Sequence, residues 1–476
     1  MPAPSWSMLF QGHRAAQTLL LTLAVGVPAT SVFVVATILP SVVADIGGAA
    51  FYTWSSMLYT VASVLGTASG GFIKAALGLR RGYMVCALVF LVGSVGCAIA
   101  PHMLVLLGAR TIQGGGGGAL IALSWGMVGA LYPEDLRPRM LSTISGVWGV
   151  AALWGPMIGG VFAELGWWRG AFWVDVPVAM VVIGLIWHAL PSDAPAGQAP
   201  HVPLCRLTLL GMGVLYVAAS GHVASLGMCL ALIGSAGVWV VLAFRSDAHA
   251  AHCMFPSQPL ALTTPVGIGF WIVWLFGLTG RQVSVFVPLV VQVLHGSSPL
   301  VAGYFYMLRS LAWSAAALCT AGLEGRSVRL TSLVGPLVVL CGVTGQALVV
   351  VDGPLLLLGS FAALTGVGYG LCYAHLNSWT ISAARLGEGD RTASFIPLGS
   401  QLGTAFGAAL VGVVANAAGL AASVSVTTVV AAATWVYGLS VVMPAGIVLL
   451  TLRVLWWHQP VWPPLGQVNS QAANRA

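Results

Sequence analysis

The sequence predicts an all-α polytopic membrane protein with about fourteen transmembrane helices. Three observations carry the prediction. Of its 476 residues, 58% are hydrophobic and only 6% are charged, against roughly 25% charged in a soluble domain. Apolar runs of about twenty residues recur along the chain, each long enough at 1.5 Å per residue to cross a bilayer core of about 30 Å. The runs are not interrupted by the alternating polar positions of membrane strands, and backbone groups in lipid must be paired internally, so the spans are helical.

Reading the runs between breakers places spans near 16–44, 51–76, 83–100, 103–131, 140–163, 170–190, 207–224, 225–244, 264–292, 299–322, 331–351, 354–384, 392–419 and 424–452. The first run, from Ala15 to Val43, follows His13 and Arg14 and is too long for the apolar core of a cleaved signal peptide. An even number of spans puts both termini on one side. Arg14, Arg80, Arg81, Arg137, Arg139, Arg206, Arg245, Arg326, Arg329, Arg385, Arg391, Arg453 and Arg475 all fall on that side, and only Arg169 lies in a loop on the other. The positive-inside rule makes the basic side the cytoplasm of a cell with this protein in its inner membrane.

The formal charge of +7 therefore has a topological explanation, and no basic cluster or aromatic platform points to nucleic acid. Eight cysteines are scattered without a CxxC pair, so free thiols are expected, with no metal site and no cofactor. The segment from Pro191 to Pro203 reads as a linker, and Arg245 to Pro259 as a second polar interval forming an amphipathic surface helix. The spans thus divide six, two and six: an N-terminal bundle over 1–190, a linker with two additional helices over 191–260, and a C-terminal bundle over 261–476. Sequence similarity between the two sets of six does not demonstrate a repeat.

The fourth to sixth spans hold the costly residues. Arg110 lies inside the fourth with Gln113 and five consecutive glycines, Gly114 to Gly118, which let helices touch backbone to backbone. A guanidinium at that depth faces the bundle interior and needs a partner, and Asp175, at comparable depth in the sixth span, is the nearest carboxyl. Gly155, Pro156, Gly159 and Gly160 give the fifth span a kink and a close-packing surface, a candidate hinge between the bundles. In the second half Arg281 and Arg309 fall inside spans with no buried acid nearby, with His375 and Asn377 in the twelfth span; Trp271, Trp274, Tyr304, Tyr306, Trp313, Tyr373 and Trp379 populate the same spans. These residues are the candidate substrate cavity.

Arg110-x-x-Gln113-Gly114 and Gly155-Pro156-x-x-Gly159-Gly160 resemble two signature motifs of the major facilitator superfamily, the second characteristic of its antiporters. Thr37 to Pro40, Trp167-Trp168-Arg169 with Phe172 and Pro177, and Ser298 to Gly303 extend the resemblance over nearly the whole chain. With about fourteen spans the chain is similar to the drug:proton antiporters that carry two extra helices. The resemblance implies two six-helix bundles plus two helices, and export of small amphipathic molecules by alternating access, coupled to protons. It also implies an acid in the first span, where this chain has Ser31, an aspartate in the loop after the second span, where it has Ala75, and an asparagine where it has Asp175.

Of the 11 acids, Asp175 remains the best sheltered carboxyl for carrying a proton. Arg110, Gln113 and Asp175 are therefore the expected coupling residues, and the expected partners are an amphipathic small molecule, protons and membrane lipid, with the oligomeric state open. Two other readings stand beside multidrug-type efflux: export of an anionic metabolite or lipid-like substrate, and a membrane sensor or scaffold that no longer transports. A membrane-embedded enzyme would need an acid, histidine or cysteine constellation near one face, which His375 alone does not supply, so no enzymatic activity is expected. Single cysteines introduced beside Arg80, Arg137 and Arg326 in a cysteine-free background are expected to resist an impermeant thiol reagent in intact cells and to react after permeabilisation; labelling of intact cells would reverse the topology.

Overall fold

A computed structural model describes residues 6–48, 51, 54–133, 135–191, 203–220, 223, 225–250, 253–280, 286–297, 299–420 and 425–457. Among these, eleven stretches are long and apolar enough to cross a membrane, and two shorter apolar helices join them. The first group comprises α1 (His13–Ile46), α2 (Trp54–Leu77), α3 (Leu79–Ala98), α4 (Met103–Leu131), α5 (Arg137–Glu164), α6 (Trp168–Trp173) and α7 (Asp175–Ala189). A pair follows, α8 (Leu204–Ser220) and α9 (Leu226–Ala248). The last group comprises α10 (Pro265–Thr279), α11 (Val287–Val293), α12 (Pro299–Thr320), α13 (Arg326–Val349), α14 (Leu355–Ser382), α15 (Gly389–Ala417), α16 (Val426–Ser440) and α17 (Val442–Trp457).

Three of the expected spans are each described as two helices. The sixth is α6 and α7, which break at Val174 three residues before Pro177. Proline has no N–H to return to the carbonyl four residues earlier, here that of Trp173. Pro444 does the same to Ser440 between α16 and α17. The ninth span is α10 and α11, and the residues joining them, Arg281 among them, lie outside the described part.

The interval after α9 departs from expectation. Asp247 and Arg245 belong to α9, and residues 253–264 form turns rather than an amphipathic surface helix. The buried Asp247 carboxylate accepts the backbone N–H groups of Met254 at 2.9 Å and Phe255 at 2.9 Å and pairs with Arg206. Glu388, just before α15, takes the Ser257 N–H at 3.1 Å and its hydroxyl. Side-chain carboxylates thus satisfy backbone donors that a helix would have paired within itself.

Pairing of helices repeats between the two groups. In the first, α4 packs on α2 and α3, α1 on α5 and α7, and α3 on α7; in the second, α14 packs on α12 and α13, α10 on α15 and α17, and α13 on α17. Between groups, α5 meets α12 and α15 meets α2 and α4, while α8 lies against both α2 and α15. The glycine run explains the first arrangement. A Cβ at Gly114 would sit 2.4 Å from the Tyr59 carbonyl oxygen, one at Gly118 2.0 Å from that of Ser63, and one at Gly116 2.4 Å from the Phe90 nitrogen. Gly366 and Gly370 of α14 repeat the device against Arg309 and Trp313 of α12, at 2.1 and 2.4 Å. Helices in lipid gain little by hiding apolar surface from one another, so this approach of backbones supplies the van der Waals contact that holds them.

On α5, Gly155 and Gly159 press on α1, where a Cβ would come within 2.5 Å of the Phe33 Cβ and 2.9 Å of the Thr37 Cβ. Gly160 faces open space, with nothing within 4 Å. Gly118→Ala is accordingly expected to lower the melting temperature in detergent by the equivalent of about 1–3 kcal/mol of overpacking. Gly160→Ala, which only gains helix propensity of about 1 kcal/mol, should leave it unchanged or raise it; equal effects would refute the packing assignment.

Candidate functional site

Two polar places lie within the bundle. The first surrounds Arg110, the largest of the fully buried side chains. Because α4 sits so close to α2 and α3, its guanidinium has no path to either membrane surface and must be satisfied in place. One terminal N–H donates to Gln113 Oε1 at 2.5 Å and also lies 3.4 Å from Ser31 Oγ on α1. The Tyr59 ring of α2 lies under the guanidinium at 4.0 Å. The Gln113 amide nitrogen in turn donates to Ser94 Oγ of α3 at 2.8 Å and to Asp175 Oδ2 of α7 at 3.2 Å.

The expected meeting of Arg110 and Asp175 thus takes place through Gln113, whose amide accepts from the cation and donates to the carboxyl. Ser31 interacts with both ends of the chain. The hydroxyl that stands where the resemblance implies an acid, and the carboxyl that stands where it implies an asparagine, therefore belong to one pocket. Asp175 and Asp247 are both buried, at 6% and 2% exposure; Asp247 is neutralised by Arg206, whereas Asp175 faces an amide and a hydroxyl. Tyr59, Ser94 and Ser31 as a donor–acceptor were not legible from spacing, since each comes from a different helix.

The second place is a cavity of about 200 Å³ between the two groups. The first group contributes Trp125, Ser145 and Trp148, and the second contributes Arg309, Trp313 and Tyr369, with Tyr306, Tyr373 and Gln401 completing the walls. Of the aromatic residues expected here, Tyr306, Trp313 and Tyr373 line it. Trp271 and Trp274 instead meet edge to face, ring centroids 5.4 Å apart, in a cluster with Phe270 and Phe406. His375 and Asn377 are buried but do not line the cavity, and the His375 ring bonds the Thr320 carbonyl at 3.1 Å. A signal for one missed wall was available: Tyr369 stands four residues before the expected Tyr373 on α14, hence on the same face.

Contacts crossing between the groups lie from mid-bundle to the arginine-rich end. Gln401 of α15 donates to Thr67 Oγ1 at 2.9 Å and accepts from Ser63 at 3.4 Å. Ser394 donates to the Ala122 carbonyl at 3.2 Å, Ser314 to that of Gly146 at 3.2 Å, and Lys74 pairs with Asp390. Lys74 adjoins Ala75, where the resemblance implies an aspartate.

Two helical groups that repeat one pairing pattern around a shared cavity define a secondary transporter of the alternating-access type. Residues 21–408 match the Major Facilitator Superfamily model. A Mycobacterium tuberculosis protein named "Probable multidrug-efflux transporter" is 30% identical over 436 residues, which is 87% of this chain and 90% of that one. "Multidrug transporter protein MdtP" of Bacillus subtilis is 24% identical over 426 residues, 86% and 77% of the two chains. The crystal structure of the human organic anion transporter MFSD10 superposes with a TM-score of 0.67 at 14% identity, covering 93% of this chain and all of that one. The proton:xylose symporter XylE does so at 0.63 and 15% identity, covering 93% and 95%. The chain belongs to the major facilitator superfamily, with two six-helix bundles and two extra helices.

Removing the central amide should expose its double role. Gln113→Ala strips an acceptor from a buried cation and a donor from Asp175, at about 1–3 kcal/mol for each group left unpaired. Detergent melting is expected to fall well below that of Ser94→Ala, which removes one acceptor of Gln113 and a local donor to the Phe90 carbonyl but touches neither charged group; comparable melting would mean that Gln113 is not the link.

Proposed function

We propose that this protein exports small amphipathic molecules across the cell (inner) membrane by alternating access, in exchange for protons, with both termini cytoplasmic. The observation that carries the reading is the aromatic-walled cavity, built from both groups and enclosed by a fold that close relatives named for multidrug efflux share over most of their length. The moving units are 1–190 and 261–476. The described residues of 191–260 contribute no wall to the cavity, which supports a supporting role for α8 and α9 along the seam between α2 and α15.

The crossing contacts, Lys74–Asp390 foremost, close the arginine-rich end, so this conformation is the one in which the cavity communicates with the outside. Return to the inside requires those contacts to part. The tight α1–α5 contact at Gly155 and Gly159 supports α5 as the element that carries motion of the first group against α12.

Asp175 is the proton-binding group in this reading. When it is charged, Gln113 and Ser31 donate to it and transmit its state to Arg110; when it is protonated, that network loosens and the first group is freed to move. Ser31 and Ala75 are compatible with coupling because the carboxyl has been placed on α7 and the inter-bundle charge pair moved to Lys74 and Asp390. Membrane vesicles from an efflux-deficient host expressing the chain are expected to expel dye faster as the proton gradient steepens. Asp175→Asn, fixed in a form resembling the protonated acid, should flatten that dependence while remaining inserted; an unaltered pH profile would remove Asp175 from coupling. Arg110→Ala should abolish efflux with near-normal expression, because insertion is decided by the apolar run rather than by one internal residue.

A further inference from the structure

Three arginine side chains are buried within the described residues: Arg110, Arg139 and Arg309. Arg110 donates to Gln113 at 2.5 Å and Arg139 to the Asp135 carbonyl at 3.3 Å. Arg309 is different. It is 5% exposed, lines the central cavity, and closes no hydrogen bond or ion pair among the described residues. Its neighbours are the Tyr306 and Tyr369 rings, at 5.2 and 5.9 Å. Ring faces lower the cost of burying a cation, yet they accept none of its five N–H groups in the plane of the fork.

The same cavity holds two more donors without an acceptor. The Trp313 indole N–H and the Ser145 hydroxyl are buried and unpartnered, as is Arg309 Nε. Guanidinium and indole can only donate. Among the described residues no aspartate or glutamate lines the cavity, so its walls bring amide and hydroxyl oxygens but no negative charge to answer the guanidinium. A buried arginine is costly to place within a membrane span, and buried donors left empty add to that cost. The need is met by a ligand that brings oxygen acceptors and negative charge.

We infer that Arg309, with Trp313 and Ser145, forms an oxyanion-recognition site inside the transport cavity, and that the preferred cargo is an amphipathic acid: a carboxylate, sulfonate or phosphate attached to an aromatic or apolar body. This deepens the export reading and rests on it. The planar fork of Arg309 matches two oxygens of such a group. Trp125, Trp148, Tyr369 and Tyr373 offer flat apolar walls to the rest of the molecule. A lipophilic cation of the same size would meet the rings but also an unneutralised guanidinium, and like charges in a low-dielectric cavity repel strongly.

Three forms of one fluorophore test the assignment: its free carboxylate, its methyl ester and a quaternary ammonium derivative. Binding to the purified full chain in detergent is read by energy transfer from the cavity tryptophans, and transport by uptake into proteoliposomes with an imposed proton gradient. The intact chain is expected to bind the carboxylate roughly 10- to 100-fold more tightly than the ester, the range for a charge-assisted hydrogen-bonded contact, and the cation most weakly. Arg309→Gln should bring carboxylate affinity down to that of the ester and so remove the preference, with an unshifted melting temperature in detergent reporting that the chain is still folded. Arg309→Lys, which keeps the charge but loses the fork, should fall between. Should Arg309→Gln not fold, the intact chain and Arg309→Lys still decide the matter. Equal binding of carboxylate and ester, or preference for the cation, overturns the site; transport of the ester or the cation with no preference for the acid leaves export standing without it, whereas transport of none of the three removes export as well.

Discussion

A backbone carbonyl of one helix resting against a glycine of the next is the constraint on which the remaining structure depends. Gly118 on Ser63, Gly116 on Cys86, Gly366 on Arg309 and Gly370 on Trp313 each leave no room for a methyl group. In water such glycines would weaken a helix; in lipid they allow contact that larger side chains would prevent. The approach fixes how deep each polar side chain on the same helix must lie. Arg110, three residues before Gln113 and four before Gly114, is drawn inside by it and is left to find its partners from α1, α2 and, through Gln113, from α3 and α7.

The two internal arginines of the central region follow opposite rules. Arg110 donates to Gln113 and Ser31 over the Tyr59 ring, with its Nε left unpartnered, and so ties α4 to α1 and α2. Arg309 meets the Tyr306 and Tyr369 rings and faces a space. The first is a joint of the scaffold and the second an open valence of the cavity. Arg110 lies on the glycine-bearing helix of its group, whereas Arg309 lies on the helix against which the glycines of α14 press.

Ser31 and Asp175 show how a departure from a family pattern can be read only in three dimensions. Taken separately, one is a missing acid and the other an unexpected one. Side by side in a single pocket, they conserve one carboxyl near one guanidinium. Lys74 and Asp390 offer a similar case: the lysine stands beside the alanine that replaces an expected aspartate, and its partner lies more than three hundred residues away.

Composition and apolar run length alone determined that this chain is helical and embedded in a membrane, because a bilayer admits no other way to pair the backbone of such segments. The glycine run and the Gly-Pro motif likewise announced close packing and a kink, since both are properties of the residues themselves. Sequence also singled out Arg110, Gln113 and Asp175 as costly to bury. It did not determine that Gln113 stands between the other two, that the interval after α9 is held in turns by Asp247 and Glu388, or that Arg309 faces the cavity while His375 does not. Those are matters of rotation and register among helices distant in the chain. Each helix has several faces apolar enough for lipid, and only the packing of all of them together selects which face turns inward.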